Sequence, residues 1–547
     1  MVFPARSKNL HQKLAMRGGG SGLLCTASPR EVPGGRLPFR GERATSLSMM
    51  RKVRFSRPLP IMPDRRQFLA GLALGAGLGP ALAQQSPPVM GGQRPAIQPM
   101  GPAQGESLRA TAVPARLVSS ESTESTLFRF LPENAPSTPA GIAPDMPILR
   151  FKPSGDARIA LRNELAQPLA LALRGMRRPL AGDALAGIAP GQNGHLVLPT
   201  TQGGSFLLQP GPGNPVREAV ARGLHGLVIV DEAQPPEVDR DLALLVADWR
   251  LTDKGELAGD FGDLRDAARM GRLGNRLTVN GHLAPMEITV RPGARLRLRL
   301  ANVAPARTIP LHAQKLTARV IAIDSTPCAP FDPLQKMVTL APGNRCEMIV
   351  DCPREAGVEA RVEAKFATPA PLLIIRTEGE PIAARGPVAA LPDPGLPAAI
   401  KLQNAARADL AITGGWAREA NPDPDAMRKA FPDPARIFQL NGGGIGDRPG
   451  EALGKPVLRV KRGREVVLAL MNRTAWPQVI GVAGHSFRLL HPFDDGWEPY
   501  FLDTVYVGPG QTLRIAFIAD LLGRHAIRST IADHAEAGVA THIEVTA

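Results

Sequence analysis

The strongest constraint on the fold of this chain is a strand–turn–strand unit that occurs three times. Each copy ends at an asparagine: Asn163, Asn302 and Asn472. Apolar and polar residues alternate through the copies, which predicts strands at 147–151 and 157–162, at 288–290 and 295–300, and at 457–460 and 465–470. A period of two is typical of antiparallel strands with one face in a core. Evenly spaced short strands separated by turn residues predict an all-β chain of sandwiches.

A second unit occurs twice and places these copies in separate domains. It joins a Pro-Gly turn to a strand, at 340–350 and again at 507–517. Repeats that lie roughly 140–170 residues apart are whole domains rather than turns of a solenoid. Helical patterning is sparse, and its candidates are two short segments at 260–270 and 425–430. We therefore predict three sandwich domains, at 112–235, 236–390 and 395–547.

The N-terminal part of the chain carries the features of an export signal. Arg65 and Arg66 form a twin-arginine pair, and the apolar run after them is about 15 residues long, shorter than the ~20 that a membrane-spanning helix needs. The run ends in Ala81-Leu82-Ala83, a small-x-small cleavage site. We predict a signal peptide at 62–83, recognised by the twin-arginine translocase, and a periplasmic mature protein without a membrane span. A retained N-terminal membrane anchor is the alternative.

The segments on either side of this signal lack a folding pattern. Residues 1–61 are basic and rich in Gly and Pro. They are either upstream of a true start at Met62, Met49 or Met50, or a disordered extension. Residues 84–111 are rich in Pro, Gly and Gln, which predicts a flexible linker.

The strong positive charge belongs mostly to this leader. The chain has 65 Lys and Arg against 50 Asp and Glu, a net charge of +15. Residues 1–83 contain 14 basic and 3 acidic residues, net +11, which leaves 51 and 47, net +4, for the rest. We therefore expect no nucleic-acid partner. The three cysteines after the signal are Cys328, Cys346 and Cys352; an oxidising compartment permits one disulfide among them, and three reduced thiols are equally compatible.

Several segments resemble the multicopper oxidases that have three cupredoxin domains, over essentially all of the chain after the signal. Residues 222–230 are similar to the family's RGLYGALIV segment, and Asp248-Trp249-Arg250 and Asp503-Thr504-Val505 match two further family positions. Residues 523–539 keep the spacing of the last copper motif, G-x-W-x-x-H-C-H-I-x-x-H-x-x-x-G-M. The resemblance implies three cupredoxin-like Greek-key β-sandwich domains.

The resemblance also implies where the copper ligands would stand. The family holds copper with eleven His and Cys ligands in four motifs; in H-x-H on a strand, residues i and i+2 face the same way and reach one metal cluster. Ten of the eleven positions are substituted here: Ala172, Arg174, Gln209, Gly211, Gln478, Gly481, Ala483, Arg528, Ser529 and Thr530. His534 is the retained ligand position, and Val539 stands at the axial Met position.

These substitutions predict that the family's copper chemistry is lost. Ala and Gly offer no donor atom, Gln offers a weak oxygen donor, and Arg stays protonated and only donates hydrogen bonds. In a site of low dielectric constant, two fixed positive charges next to a Cu(II) ion would destabilise metal binding by several kcal/mol. We therefore expect no cofactor, no metal site and no catalytic residues, with His534 as a hydrogen-bonded core imidazole. The competing hypothesis is a mononuclear copper site formed by His534 with His485, His491 or His525.

Three functions follow from these alternatives. The leading hypothesis is a non-catalytic periplasmic scaffold, similar to copper-free, twin-arginine-exported members of the family that associate with the septal ring and protect division under stress. Its partners would be periplasmic proteins, including those of the division machinery. The second hypothesis is a copper-dependent oxidoreductase with a reduced site at His534. The third is a binding protein that holds a small anion between Arg174 and Arg528, and these arginines would otherwise form an interdomain clamp with Asp533 or Glu536.

Overall fold

The computed structural model describes residues 104–118, 121–135, 141–211, 216–397, 399–417, 423–441, 454–491 and 496–547. The segments 1–61 and 62–83, with Arg65, Arg66, Ala81 and Ala83, lie outside the described residues, as do 84–103. The prediction of an export signal therefore stays a prediction. None of the helices in the described ranges is long and apolar enough to cross a membrane.

The regular secondary structure of the described chain is mostly strand, in three successive groups. The first sandwich (104–230) contains β1 (Gln104–Arg116), β2 (Ser125–Pro132), β3 (Gly141–Ile142), β4 (Ile148–Phe151), β5 (Asp156–Asn163), β6 (Leu171–Arg174), β7 (Asn193–Pro199), β8 (Gly204–Pro210), α1 (Val216–Ala221) and β9 (Gly226–Val230). Its sheets have the strand orders β2-β1-β5-β7, with β3 beside β1, and β4-β9-β8-β6. Apolar side chains from both sheets, such as Leu108, Phe130, Phe151 and Phe206, pack into one core.

The second sandwich (240–377) repeats this design with more strands in each sheet. Its elements are β10 (Arg240–Trp249), α2 (Leu264–Ala267), β11 (Arg276–Val279), β12 (His282–Leu283), β13 (Met286–Val290), β14 (Arg295–Asn302), β15 (Ile309–Gln314), β16 (Thr317–Ile323), β17 (Thr326–Phe331), β18 (Met337–Leu340), β19 (Arg345–Asp351), β20 (Glu359–Ala364) and β21 (Ala370–Thr377). The strand orders are β12-β11-β10-β14-β19-β16-β17 and β13-β21-β20-β15-β18.

The third sandwich (406–546) follows the same plan. Its elements are β22 (Ala406–Gly414), α3 (Pro424–Ala430), β23 (Phe438–Leu440), β24 (Leu458–Lys461), β25 (Arg464–Asn472), β26 (Gln478–Val482), β27 (Phe487–Leu490), β28 (Trp497–Leu502), β29 (Thr504–Val507), β30 (Thr512–Ala519), β31 (Gly523–Ser529), α4 (Ala532–Glu536) and β32 (Ala540–Thr546). The strand orders are β23-β22-β25-β30-β27-β28 and β24-β32-β31-β26-β29. Three 3-10 turns at Asp183–Leu185, Leu334–Lys336 and Pro434–Arg436 complete the structure.

The all-β prediction is confirmed, and every strand of the threefold unit is present. The sheets are mixed, however, and not antiparallel throughout as the alternation indicated. β1 runs parallel to β5, β10 to β14 and β22 to β25. The register of each parallel pair ends at one of the three asparagines, as Ala110↔Asn163, Val246↔Asn302 and Ile412↔Asn472. Alternation reports which face a side chain takes, and it does not report the direction of the neighbouring strand.

The three asparagines explain why the unit recurs. The Asn302 side chain donates to the backbone carbonyls of Arg307 and Leu340, each at 2.8 Å, and accepts from the Ala304 amide at 2.9 Å. Asn163 and Asn472 make equivalent bonds in the other two sandwiches. A buried amide satisfied in this way fixes the loop that leaves each central strand.

The predicted linker at 84–111 is wrong over its described end. β1 begins at Gln104 and pairs with β5, and the side chains of Leu108 and Ala110 enter the first core. Apolar burial and a parallel neighbour, neither visible in a Pro-rich and Gly-rich composition, stabilise this segment as a strand. The described residues all belong to one compact unit, so the domain bounds 112–235, 236–390 and 395–547 stay predictions.

The short helices and the cysteines also have defined outcomes. α2 and α3 lie where helices were predicted, and the side chains of Asp263 and Asp423 cap their N-termini by accepting from backbone amides. Cys328, Cys346 and Cys352 are free thiols, as in the second of the two alternatives. Burial raises the pKa of the Cys328 and Cys352 thiols to about 12.

Candidate functional site

Most of the substituted ligand positions surround one cavity between the first and third sandwiches. Its volume is about 610 Å³, and Ala172, Arg174, Gln209, Gly481, Ala483 and Arg528 all line it. Strand pairing brings them there: Ala172 lies opposite Gln209 in the β6–β8 pair, and Gly481 lies opposite Arg528 in the β26–β31 pair. Ser529 and Thr530 line a smaller pocket of about 30 Å³, which Arg174, Gln209 and Arg528 share.

The other positions lie outside the larger cavity. The Gly211 amide donates to the Ala170 carbonyl at the end of β8. Val539 is buried in the core of the third sandwich. Gln478 and His534 contact each other within that sandwich. The structure therefore brings six of the ten substituted positions to the larger cavity and leaves Gly211, Gln478 and the retained His534 outside its lining.

Arg174 crosses from the first sandwich into the third. Its Nη1 donates to the Thr504 hydroxyl at 3.3 Å. The guanidinium lies against Gly481, where a Cβ atom would overlap Nη1, and near Gly343, where a Cβ would be 3.3 Å from Nε. Burial lowers the pKa of Arg174, and the nearby Asp503 opposes this shift. The two glycines therefore leave the space that this arginine occupies.

Arg528 approaches Arg174 from the third sandwich, and no carboxylate of the described residues lies in ion-pair distance of it. Burial, together with the charge of Arg174, lowers its pKa to about 10, so the side chain stays protonated at neutral pH. The acids predicted to clamp the two arginines are engaged elsewhere: Asp533 accepts from the Arg272 amide at 2.8 Å, and Glu536 pairs with Arg217. The predicted clamp through Asp533 or Glu536 is therefore wrong, because a backbone amide binds Asp533 and another arginine, Arg217, pairs with Glu536.

His534 is a buried imidazole with both nitrogens in hydrogen-bonding distance of protein atoms. Nε2 lies 2.8 Å from the Arg269 carbonyl and Nδ1 lies 3.1 Å from the Gln478 amide oxygen. The ring packs against Phe438 with centroids 4.6 Å apart, and burial lowers its pKa to about 4. A neutral ring carries one N–H, which goes to Arg269; the amide of Gln478 then has to present its NH₂ group to Nδ1.

The histidines that would complete a mononuclear site are arranged differently. His485 and His525 lie edge to face with ring centroids 4.6 Å apart, and His525 Nε2 lies 2.9 Å from the Leu521 carbonyl. Burial lowers the pKa of His485 to about 4. Among the residues described, no group of three or more His, Cys, Asp or Glu side chains is placed to hold a metal ion.

The side chains at the family's ligand positions do not fit a copper cluster. Copper in such sites needs imidazole nitrogens and a thiolate. Here two guanidinium groups line the space, Ala172, Gly481 and Ala483 provide no donor, and both His534 nitrogens face protein atoms. The arrangement instead provides paired cations beside an apolar wall.

Sequence reasoning missed a buried ionic junction where all three sandwiches meet. Arg345 on β19 pairs with Asp503 through two hydrogen bonds, Nη1–Oδ1 at 3.1 Å and Nη2–Oδ2 at 2.5 Å. Asp324 accepts from the amides of Asp503 and Thr504, both at 3.2 Å. The Ser325 hydroxyl donates to the Ser205 carbonyl of the first sandwich. The motif Asp503-Thr504-Val505 was the available signal, since it contributes the acid and two amides to this junction.

A second missed network joins the first and second sandwiches. Arg297, 1% exposed, binds the carboxylates of Glu232 and Glu347, and Arg299 binds Glu347 and Asp241. These arginines occupy the β14 face that the alternation left outside the core. In the sequence, the hint of this burial was the arginine-rich face of β14. In the structure, carboxylates of β19 lie directly opposite that face.

Comparison with known proteins gives the same fold. Residues 429–547 match the family model described as "Multicopper oxidase". A multi-copper oxidase from Pseudomonas thermotolerans is similar in structure, with a TM-score of 0.67 at 24% identity over 81% of this chain and 100% of that chain. The McoA multicopper oxidase from Aquifex aeolicus is similar with a TM-score of 0.63 at 18% identity, over 82% and 97%. At these identities the likeness concerns the fold alone.

The curated relatives have a different name. The chain is 27% identical over 295 residues to "Cell division protein FtsP" of Yersinia pestis, covering 53% of this chain and 60% of that relative. It is 26% identical over 303 residues to the protein of the same name from Pectobacterium atrosepticum, again covering 53% and 60%. The chain thus spans about 60% of the length of these relatives.

Proposed function

We propose that this chain, which has the fold of the multicopper oxidases and matches their family model over residues 429–547, acts in cell division without bound copper. It works by binding other proteins of the cell envelope and catalyses no oxidation. The observation that carries the proposal is the pair of cations Arg174 and Arg528 in one cavity, at positions that the resemblance aligns with imidazole ligands.

The chemistry of the site supports the copper-free part. Two protonated guanidinium groups and a set of Ala and Gly residues cannot supply the nitrogen and sulfur donors of a multicopper centre. His534, the retained position, is hydrogen-bonded on both sides and favours its neutral form. Its role in this proposal is structural: it contacts Gln478 within the third sandwich and joins that sandwich to Arg269 of the second.

The relatives support the part that concerns division. Their printed name is that of a cell division protein, and the aligned part covers about half of this chain. A protein of this fold without a catalytic centre acts through its binding surfaces, so the proposal assigns it protein partners in the division machinery. The twin-arginine signal at 62–83 supports a periplasmic location after export through the twin-arginine translocase.

Metal content tests the copper-free part directly. The exported chain is purified from copper-replete cells, and its copper is measured by mass spectrometry together with its visible absorption. We expect less than about 0.1 copper per chain and no blue absorption band, because type 1 sites need a thiolate and two imidazoles. One or more copper ions that survive chelation would contradict the proposal.

The same measurement decides the alternative, a copper-dependent oxidoreductase at His534. That function requires bound copper in the wild type and its loss in His534→Ala. Arg459→Ala is a matched control, because this exposed residue lies on the same sandwich and pairs with Glu544.

Localisation tests the part that concerns division. The full chain is fused to a fluorescent protein that tolerates export in the folded state and is followed in dividing cells of the native host. We expect enrichment at the division septum. The control carries both Arg65→Lys and Arg66→Lys. These substitutions block twin-arginine export, so the fluorescence stays in the cytoplasm. Uniform envelope fluorescence during division would contradict this part.

A further inference from the structure

The cavity between the first and third sandwiches has the size of a ligand site. Its volume of about 610 Å³ lies within the range of roughly 300–1,000 Å³ that is usual for small-molecule pockets. Leu171, Leu173 and Met176 of the first sandwich and Val482 and Leu521 of the third form apolar walls. Such walls favour an apolar body over a hydrated ion.

The lining of the cavity is mainly positively charged. Five of the described lining residues are arginines, and one, Asp520, has a carboxylate. Arg178, Arg462 and Arg524 are exposed at the rim, whereas Arg174 and Arg528 are partly buried and also line the smaller adjoining pocket. The inner end of the cavity therefore has two cations and the outer rim has three.

Among the residues that the structure describes, the two inner arginines have no ion-pair partner of their own. Within the described ranges Arg528 has no carboxylate in ion-pair distance, and Arg174 Nε is buried without an acceptor. The acid next to Arg174, Asp503, is engaged by two hydrogen bonds from Arg345. A carboxylate or phosphate between Arg174 and Arg528 would accept charge-assisted hydrogen bonds from both.

We propose that this cavity binds an amphiphile that has one carboxylate or phosphate head and a single apolar chain. The head lies between Arg174 and Arg528, and the chain lies along the leucine wall towards the rim. A free phosphate ion would satisfy the arginines and leave the wall in contact with water. Each buried methylene strengthens binding about fourfold, so a chain of several methylenes makes the amphiphile the preferred occupant.

Calorimetric titration of the full purified chain with decyl phosphate, kept below its micelle concentration, tests the proposal. We expect binding of one molecule per chain, at least about 100-fold tighter than that of inorganic phosphate. Decanol tests whether a charged head group is needed, and decyltrimethylammonium tests whether that charge has to be negative. Both should bind at least about tenfold more weakly than decyl phosphate. Equal binding of inorganic phosphate, decanol or the cation would overturn the proposal, as would no binding of decyl phosphate.

Three variants locate the site. Arg528→Gln removes one charge and should weaken decyl phosphate binding at least about tenfold. Ala483→Trp keeps every charge and fills the cavity from an exposed position, so it should abolish binding even where Arg528→Gln fails to fold. Arg459→Gln, the matched control on the same sandwich, should leave binding unchanged. Unchanged binding in Ala483→Trp would overturn the proposal; since binding is measured on purified protein, the outcome is independent of the proposed role in division.

Discussion

Replacing Arg345 with Met should destabilise the protein more than any change of one surface charge. Arg345 has a side chain that is 1% exposed, and Asp503 and Asp324 next to it are 4% and 0% exposed. Its Nη1 lies 3.7 Å from Asp324 and its two Nη atoms bind both oxygens of Asp503. Met has a similar length and no charge, so Arg345→Met leaves two carboxylates buried together without the cation that pairs with them; Arg174 is the remaining cation nearby.

The magnitude follows from the burial of this pair. Removing one partner of a buried ion pair costs about 3–5 kcal/mol, because the remaining charge keeps its desolvation penalty. If a cooperative unit of about 150–250 residues unfolds, each kcal/mol lowers the Tm by about 2–4 °C, so we expect a decrease of about 6–20 °C. Burial and the charge of Asp503 raise the pKa of Asp324. Without Arg345 that carboxyl binds a proton in the folded state at higher pH, so the loss is larger at pH 8 than at pH 5.

Thermal unfolding followed by circular dichroism at pH 5 and pH 8 measures both effects. The control is Arg459→Met, which removes an exposed cation from its pair with Glu544 and should cost less than about 1 kcal/mol. Equal Tm values for Arg345→Met and Arg459→Met at pH 8 would refute the reasoning. A loss that does not change between the two pH values would refute the role of the paired carboxyls.

Three further predictions use unfolding by urea or heat. Burial lowers the pKa of His534 to about 4 and that of His225 to about 3, whereas histidines in the unfolded chain have a pKa near 6.5. The free energy of unfolding is therefore highest above pH 6.5, and it decreases at lower pH because protons bind the unfolded chain first. The loss between pH 7 and pH 5 should be about 2 kcal/mol for each histidine, and a pH dependence unchanged in His534→Gln would contradict this. Gly175→Ala should lower the Tm, because Gly175 has a φ of +96° and a Cβ would overlap the Ser325 hydroxyl and Arg345; an unchanged Tm would show that the junction is looser than described. Asn302→Ala should cost about 3 kcal/mol in urea, since three backbone groups lose their partner, and a cost below about 1 kcal/mol would contradict its role in the loop.

The strands of the threefold unit were predictable because their signal is local. Alternation in 295–300 and the Pro-Gly turn before it depend on residues next to one another. The position of Asn302 was visible as the end of the unit. Its function was not, because the carbonyls of Arg307 and Leu340 that it binds belong to other segments.

The second face of β14 shows where local reasoning ends. The pattern Arg295-Leu296-Arg297-Leu298-Arg299 correctly separates two faces, but it does not distinguish water from a polar interface. Arg297 is buried because Glu232 of the first sandwich and Glu347 of a neighbouring strand compensate its charge. These partners are 65 and 50 positions away in the chain.

By itself the sequence determined the all-β architecture and the side-chain chemistry at the positions that the resemblance aligns with copper ligands, because strand period and side-chain chemistry are properties of each segment. The tertiary structure decided which charges meet. Packing of the first sandwich against the third brings Arg174 and Arg528 to one cavity, while Glu536 pairs with Arg217 and Asp533 accepts from the backbone amide of Arg272. Electrostatic partners are set by distances of a few ångströms between residues far apart in the chain, and only the packing of the sheets fixes those distances.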